Sequence, residues 1–156
     1  MSMIGYAAWA FAAGALIPLM AVLNAGLARV SGGNVQATVI LFAVGLLASL
    51  VLALLSGVRI PSLSILASAA PRQYMGGLIV AFYVVSITFL APRFGVGNAI
   101  LLAVTAQLVT AAAIDHFALA GAALRPMTIV RAIGLGIVVL GVVITQAGDR
   151  LLAAFR

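Results

Sequence analysis

Five long apolar runs, each about the length of a bilayer crossing, occupy most of this chain, and its eight basic and two acidic residues stand at or near their ends. A hydrocarbon core of about 30 Å needs about 20 mostly apolar residues per helix, and backbone polar groups in lipid must be satisfied within the spanning element. With 66% hydrophobic and 6% charged residues, the apolar surplus exceeds what a globule of this length can hide from water. The chain therefore reads as an all-α integral membrane protein, a single five-helix domain over 1–156 with spans near 3–28, 35–56, 73–90, 98–118 and 129–147.

The breaks between runs are chemically explicit. RVSGGN, containing Arg29, Gly32, Gly33 and Asn34, closes a helical hairpin. IPSLSILASAAPR, bracketed by Pro61 and Pro71, is too short and too rich in serine to cross, so it connects along the interface. Ala91-Pro92-Arg93 ends the third span, FGVGN turns into the fourth, and Gly121 to Met127 holds the last break. The start, MSMIGYAAW, lacks the basic region and cleavage signature of a signal peptide, so the first helix is expected to stay. A net charge of +6 in a soluble chain would suggest nucleic acid; here each arginine sits at a helix end, where it anchors to water and lipid phosphate, and no nucleic acid is expected. No cysteine, one histidine and two aspartates leave no thiolate or clustered metal site, no cofactor and no support for enzymatic chemistry.

Threaded as five spans, Arg59, Arg72, Arg125 and Arg131 fall on the side where the chain starts, and Arg29, Arg93, Arg150 and Arg156 on the other. Orientation is normally set by an excess of basic residues in the cytoplasmic loops. An even split gives no such instruction, so insertion in both orientations is expected. An odd number of spans also leaves the termini on opposite sides, as in half of a transporter built from two inverted units around a midplane site. One sequence inserted both ways would supply both halves about a two-fold axis in the membrane plane.

The segments LNAGLAR at 23–29, GGLIVAFYVVS at 76–86, AQLVTAAAIDHFALAG at 106–121 and VRAIGLGIVVLGVVI at 130–144 together resemble the YdcZ (DUF606) family, covering nearly the whole chain in order. The resemblance implies an EamA-like half of the drug/metabolite transporter (DMT) superfamily, a small-metabolite exporter working as an antiparallel homodimer. It also implies a multi-pass protein of the bacterial inner (plasma) membrane. Where that family often reads Gly-Gln, this chain has Ala106-Gln107, which leaves the backbone there less approachable.

Candidate solute contacts are polar groups far from the helix ends. Tyr83 lies ten residues from Gln73 and Gln107 nine from Asn98, so each sits about 14 to 15 Å deep at 1.5 Å per residue, near the bilayer centre. Thr105, Thr110 and Ser86 are close in depth, and Trp9 and Tyr6 lie nearer one surface. In an antiparallel pair, two copies of Tyr83 and Gln107 could surround one cavity; alternatively Gln107 bonds between helices as a packing group. Asn24 with Arg29 reads either as a cap and phosphate contact or as a gate. Asp115 and His116 lie near the end of the fourth span beside Arg131, favouring a structural Asp115–Arg131 ion pair over a gate, while His116, about 100° round the helix, need not share it. Pro18 removes one backbone donor and can kink the first helix.

Gly134, Gly141, Thr145 and Gly148 fall along one face of the fifth span, where small residues permit close helix approach. GIVVLGV there resembles the last-helix dimer motif of small multidrug resistance proteins, but the first span lacks the glutamate those proteins use to exchange protons for cationic drugs. Dimer packing through the glycines is expected, with chance scatter as the alternative. The reading is alternating-access export of a neutral or zwitterionic, partly apolar solute. Its alternative is a non-transporting membrane subunit or lipid-binding partner protein.

Overall fold

The computed structural model describes residues 2–154, with side chains up to Gly148. Asp149, Arg150 and Arg156, read as the exit of the last span, therefore lie outside the described side chains. Helices α1 (Met3–Ser31), α2 (Asn34–Leu55), α3 (Leu63–Ser68), α4 (Pro71–Phe94), α5 (Val96–Phe117) and α6 (Ile129–Ala154) follow in order, with one 3-10 turn at Leu119–Gly121. All but α3 are long and apolar enough to cross a membrane. The chain packs as two compact units, Met1–Val96 and Gly97–Arg156.

In the first unit α1, α2 and α4 touch one another pairwise. Ser2 caps α1, its hydroxyl accepting from the Gly5 N–H at 3.2 Å. The helix runs three residues beyond the expected end and stops where Gly32 takes φ +91°, a left-handed position that glycine occupies without a side-chain clash. Gly33 then caps α2, and the two-glycine link holds the helices as a hairpin. Helix α4 starts at Pro71, whose fixed φ suits a first turn and whose missing N–H costs nothing there. Gln73 Oε1 accepts from the Ala70 N–H at 2.9 Å. Contrary to the expected stop at Ala91-Pro92, α4 continues through Pro92 to Phe94.

The buried stripe of α1 is Ala21, Asn24 and Ala28. It meets neighbours whose own buried positions are Ala37 and Thr38 on α2, and Val84, Ile87, Thr88 and Ala91 on α4. These are mostly small or β-branched residues, which let helix backbones approach without a thick layer of side chain. Large apolar residues point outward instead, as with Phe11, Leu54 and Phe82. Such a surface suits lipid rather than water. Helix α3 is tied to α4 by the Tyr74 hydroxyl, which donates to the Leu66 carbonyl.

In the second unit α5 ends at Phe117, and the chain turns through left-handed Ala118, Ala120 and Gly121. The loop folds back on the helix end: the Arg125 N–H donates to the Asp115 carbonyl at 2.8 Å, and the Met127 N–H to His116 Nδ1 at 3.0 Å. Thr128 caps α6 by accepting from the Arg131 N–H at 3.2 Å.

Candidate functional site

The most deeply buried polar contact joins two spans of the first unit. Asn24, 3% exposed, donates from Nδ2 to Thr88 Oγ1 at 2.6 Å; the Thr88 hydroxyl, in a residue 1% exposed, donates to the Val84 carbonyl at 2.7 Å. Thr88 thereby both accepts and donates, while Asn24 acts only through its amide nitrogen. Asn24 Oδ1 is buried without any hydrogen-bond partner. In this arrangement Thr88 accepts from the amide and donates along its own helix, so its hydroxyl does not serve the Asn24 oxygen. Asn24 stands seven residues inside the end of α1 and Thr88 six inside the end of α4, about 9 to 10 Å below the helix termini. Neither is a helix cap. Asn24 also lines a 380 Å³ cleft between α1 and α2 whose other walls are aliphatic, among them Met20, Leu23 and Ile40.

Thr88 was not a sequence candidate, although one signal was available. Four residues after it, Pro92 offers no N–H to the Thr88 carbonyl, marking a turn of helix with backbone bonding capacity to spare. Most other hydroxyls are consumed locally. Thr38, Thr105 and Thr145 donate to the carbonyls of Asn34, Leu101 and Gly141, each at 2.8 Å.

The remaining candidates are dispersed. Trp9 is 73% exposed and lies fifteen residues from Asn24, about 22 Å along the same helix, too far for one small solute to touch both within a copy. Tyr83 is half-buried on α4, eleven residues from its end, and belongs to the first unit. Gln107 is exposed at the middle of α5 and belongs to the second.

At the other end of α5, Arg131 Nη2 donates to Asp115 Oδ2 at 2.7 Å, with the two side chains 39% and 31% exposed. Each charge is badly placed against its own helix dipole. Asp115 sits in the last turn of α5, where the backbone is negative, and Arg131 in the first turn of α6, where it is positive. Pairing removes both mismatches at once. The sequence separated His116 from this contact, and the structure gives it another: Nδ1 is the acceptor for Met127, so the neutral ring carries its proton on Nε2. On α6, a Cβ added to Gly134, Gly141 or Gly148 would meet no atom of its own unit within 4 Å.

Five membrane-length helices with lipid-suited surfaces and polar groups held inside the spans define a multi-pass membrane protein. Residues 5–144 match the family described as "Putative inner membrane exporter, YdcZ". The chain belongs to the YdcZ family and is a multi-pass inner-membrane protein of the transporter kind, a description that is not that of an enzyme class. No curated protein and no solved structure matches it.

Proposed function

We propose that this chain exports a small metabolite by alternating access, working as an antiparallel homodimer of DMT-like halves. The observation that carries the reading is the unmet Asn24 oxygen. A polar atom kept in the membrane without a partner costs free energy, and a transporter recovers that cost when a solute or water meets the atom in another state of the cycle. Asn24 and Tyr83 are the solute contacts proposed in the first unit, with Trp9 at an entrance; Gln107 is a separate proposed contact of the second unit. Asp115 and Arg131 form a structural ion pair between α5 and α6, with a gate as the alternative role. The few polar atoms and many aliphatic walls near Asn24 favour a neutral or zwitterionic, partly apolar solute that presents an N–H or O–H group.

The test is a solute screen in proteoliposomes, followed by the identified solute with Asn24→Ala, Gln107→Ala and Tyr83→Phe. For Gln107→Ala and Tyr83→Phe, loss of transport with the wild-type melting temperature kept identifies a solute contact; for Asn24→Ala, which also removes the bond to Thr88, the mark is a greater loss of transport than in the less stable Thr88→Val. Full transport in all three variants removes the proposed site.

A further inference from the structure

Where α1 and α4 finish, the first unit holds a cavity that the proposed solute path does not use. Its volume is 570 Å³, and its walls include Ala28 and Arg29 of α1, Gly33 and Asn34 at the start of α2, and Pro92 and Arg93 of α4. Residues 1–96 contain neither Asp nor Glu, so no carboxylate of this unit neutralises either guanidinium. Arg93 is already positioned: Nη1 donates to the Phe89 carbonyl at 2.9 Å, and the guanidinium lies 3.8 Å over the Phe89 ring. Among the described residues this is its one side-chain hydrogen bond, so N–H donors remain for another group. Helix α2 begins at the same place with no side-chain cap, adding free N–H groups and the positive end of its dipole to the two cations.

A second cavity shares Asn34 with the first. It has a volume of 380 Å³, lies between α2 and α4, and is walled by Val35, Val85, Phe89 and Leu90, with Gln36 beside Asn34 near its mouth and Ser86 deeper. Val85 stands nine residues before the end of α4, so the groove descends about 13 Å from the helix end, close to the depth of one leaflet. A chamber with two cations at the helix ends thus adjoins, at Asn34, a largely apolar groove that reaches inward along α4.

We propose that the two cavities together hold an anionic phospholipid, with its phosphate between Arg29 and Arg93 and one acyl chain along Val85, Phe89 and Leu90. Basic pockets between spanning helices recognise lipid headgroups through this chemistry, and guanidinium binds phosphate oxygens through paired N–H groups. A soluble phosphate ester would satisfy the arginines but leave the groove without a use.

The experiment titrates the purified full chain in detergent with dihexanoyl phosphatidylglycerol, dihexanoyl phosphatidylcholine and inorganic phosphate, reading melting temperature and bound lipid by native mass spectrometry. Phosphatidylglycerol is expected to bind about tenfold or more tighter than either alternative, with Arg29→Gln and Arg93→Gln each losing about tenfold, the size of one charge-assisted contact. Ser86→Trp, which fills the groove and keeps both charges, should remove the advantage of the lipid over inorganic phosphate even if an arginine variant fails to fold. Unchanged phosphatidylglycerol binding in both arginine variants overturns the site. Inorganic phosphate binding as tightly as the lipid, with Ser86→Trp without effect, overturns the lipid assignment in favour of a soluble anion. No transport is measured, so the result is independent of the export reading.

Discussion

Asn24 and Thr88 stand 64 residues apart in sequence and 2.6 Å apart in space, and their asymmetry makes a sharp prediction. Removing the asparagine leaves no orphan, because Thr88 keeps its bond to Val84; removing the hydroxyl strands a whole buried amide. Interhelical hydrogen bonds in membranes contribute about 0.6 to 2 kcal/mol, whereas an unsatisfied buried group costs about 1 to 3 kcal/mol. Thr88→Val should therefore lower the melting temperature more than Asn24→Ala, and the double variant should recover part of the Thr88→Val loss. Equal losses in the two single variants would mean that the Asn24–Thr88 bond is not what joins α1 to α4. Asn24 was visible in the sequence as a polar residue in an apolar run. Its partner was not, because the sequence does not state which helix faces which.

At the scale of elements, the ends of helices were more legible than their neighbours. Glycine at 32 and proline at 71 marked boundaries for local steric reasons, and the structure moved those boundaries by only a few residues. The end expected at Ala91-Pro92-Arg93 falls at Phe94, because a proline in the last turn forfeits only one backbone bond and can be carried by the helix. Helix α6 invites a test of its glycine face. Gly134 and Gly141 stand two turns apart with no atom of their own unit against them, so a neighbouring helix can approach closely there. Gly141→Leu should push such a neighbour away, raising the dimer dissociation constant by about tenfold, as for a loss of about 1.4 kcal/mol. Analytical ultracentrifugation in detergent reads this directly, and an unchanged dimer places the seam elsewhere.

For the molecule as a whole, charge decides how it enters the membrane. The first unit carries Arg29 and Arg93 together at one end, where they line one cavity. Arg59 and Arg72 flank the connection containing α3, at the other end of the hairpin helices. Two against two leaves the orientation rule without a majority. Because the chain has no cysteine, single cysteines placed near either terminus can be labelled without background. Membrane-impermeant reagent should reach each site in about half of the molecules in intact cells, the outcome of an even orientation preference. Labelling of one terminus only, in every molecule, would remove dual insertion. Two or three arginines added to one set of loops should then lock a single orientation and stop transport unless an oppositely biased copy is supplied.

The apolar run lengths alone determined that this chain is helical and lives in a membrane, since only closed backbone hydrogen bonding survives in hydrocarbon. They also determined the number of spans, and the sparse charges marked where water begins. The tertiary structure decided which polar groups meet. In lipid the apolar faces of a helix are nearly equivalent, so periodicity carries little information about which face turns inward. The small residues Ala21, Ala28 and Ala91 bring α1 and α4 close, and that approach buries Asn24 against Thr88 while leaving its oxygen unmet. Similarly, Asp115 and Arg131 were an expected pair from their common depth, but the His116 to Met127 bond depends on a loop that doubles back through left-handed alanines, a path that local propensity argues against.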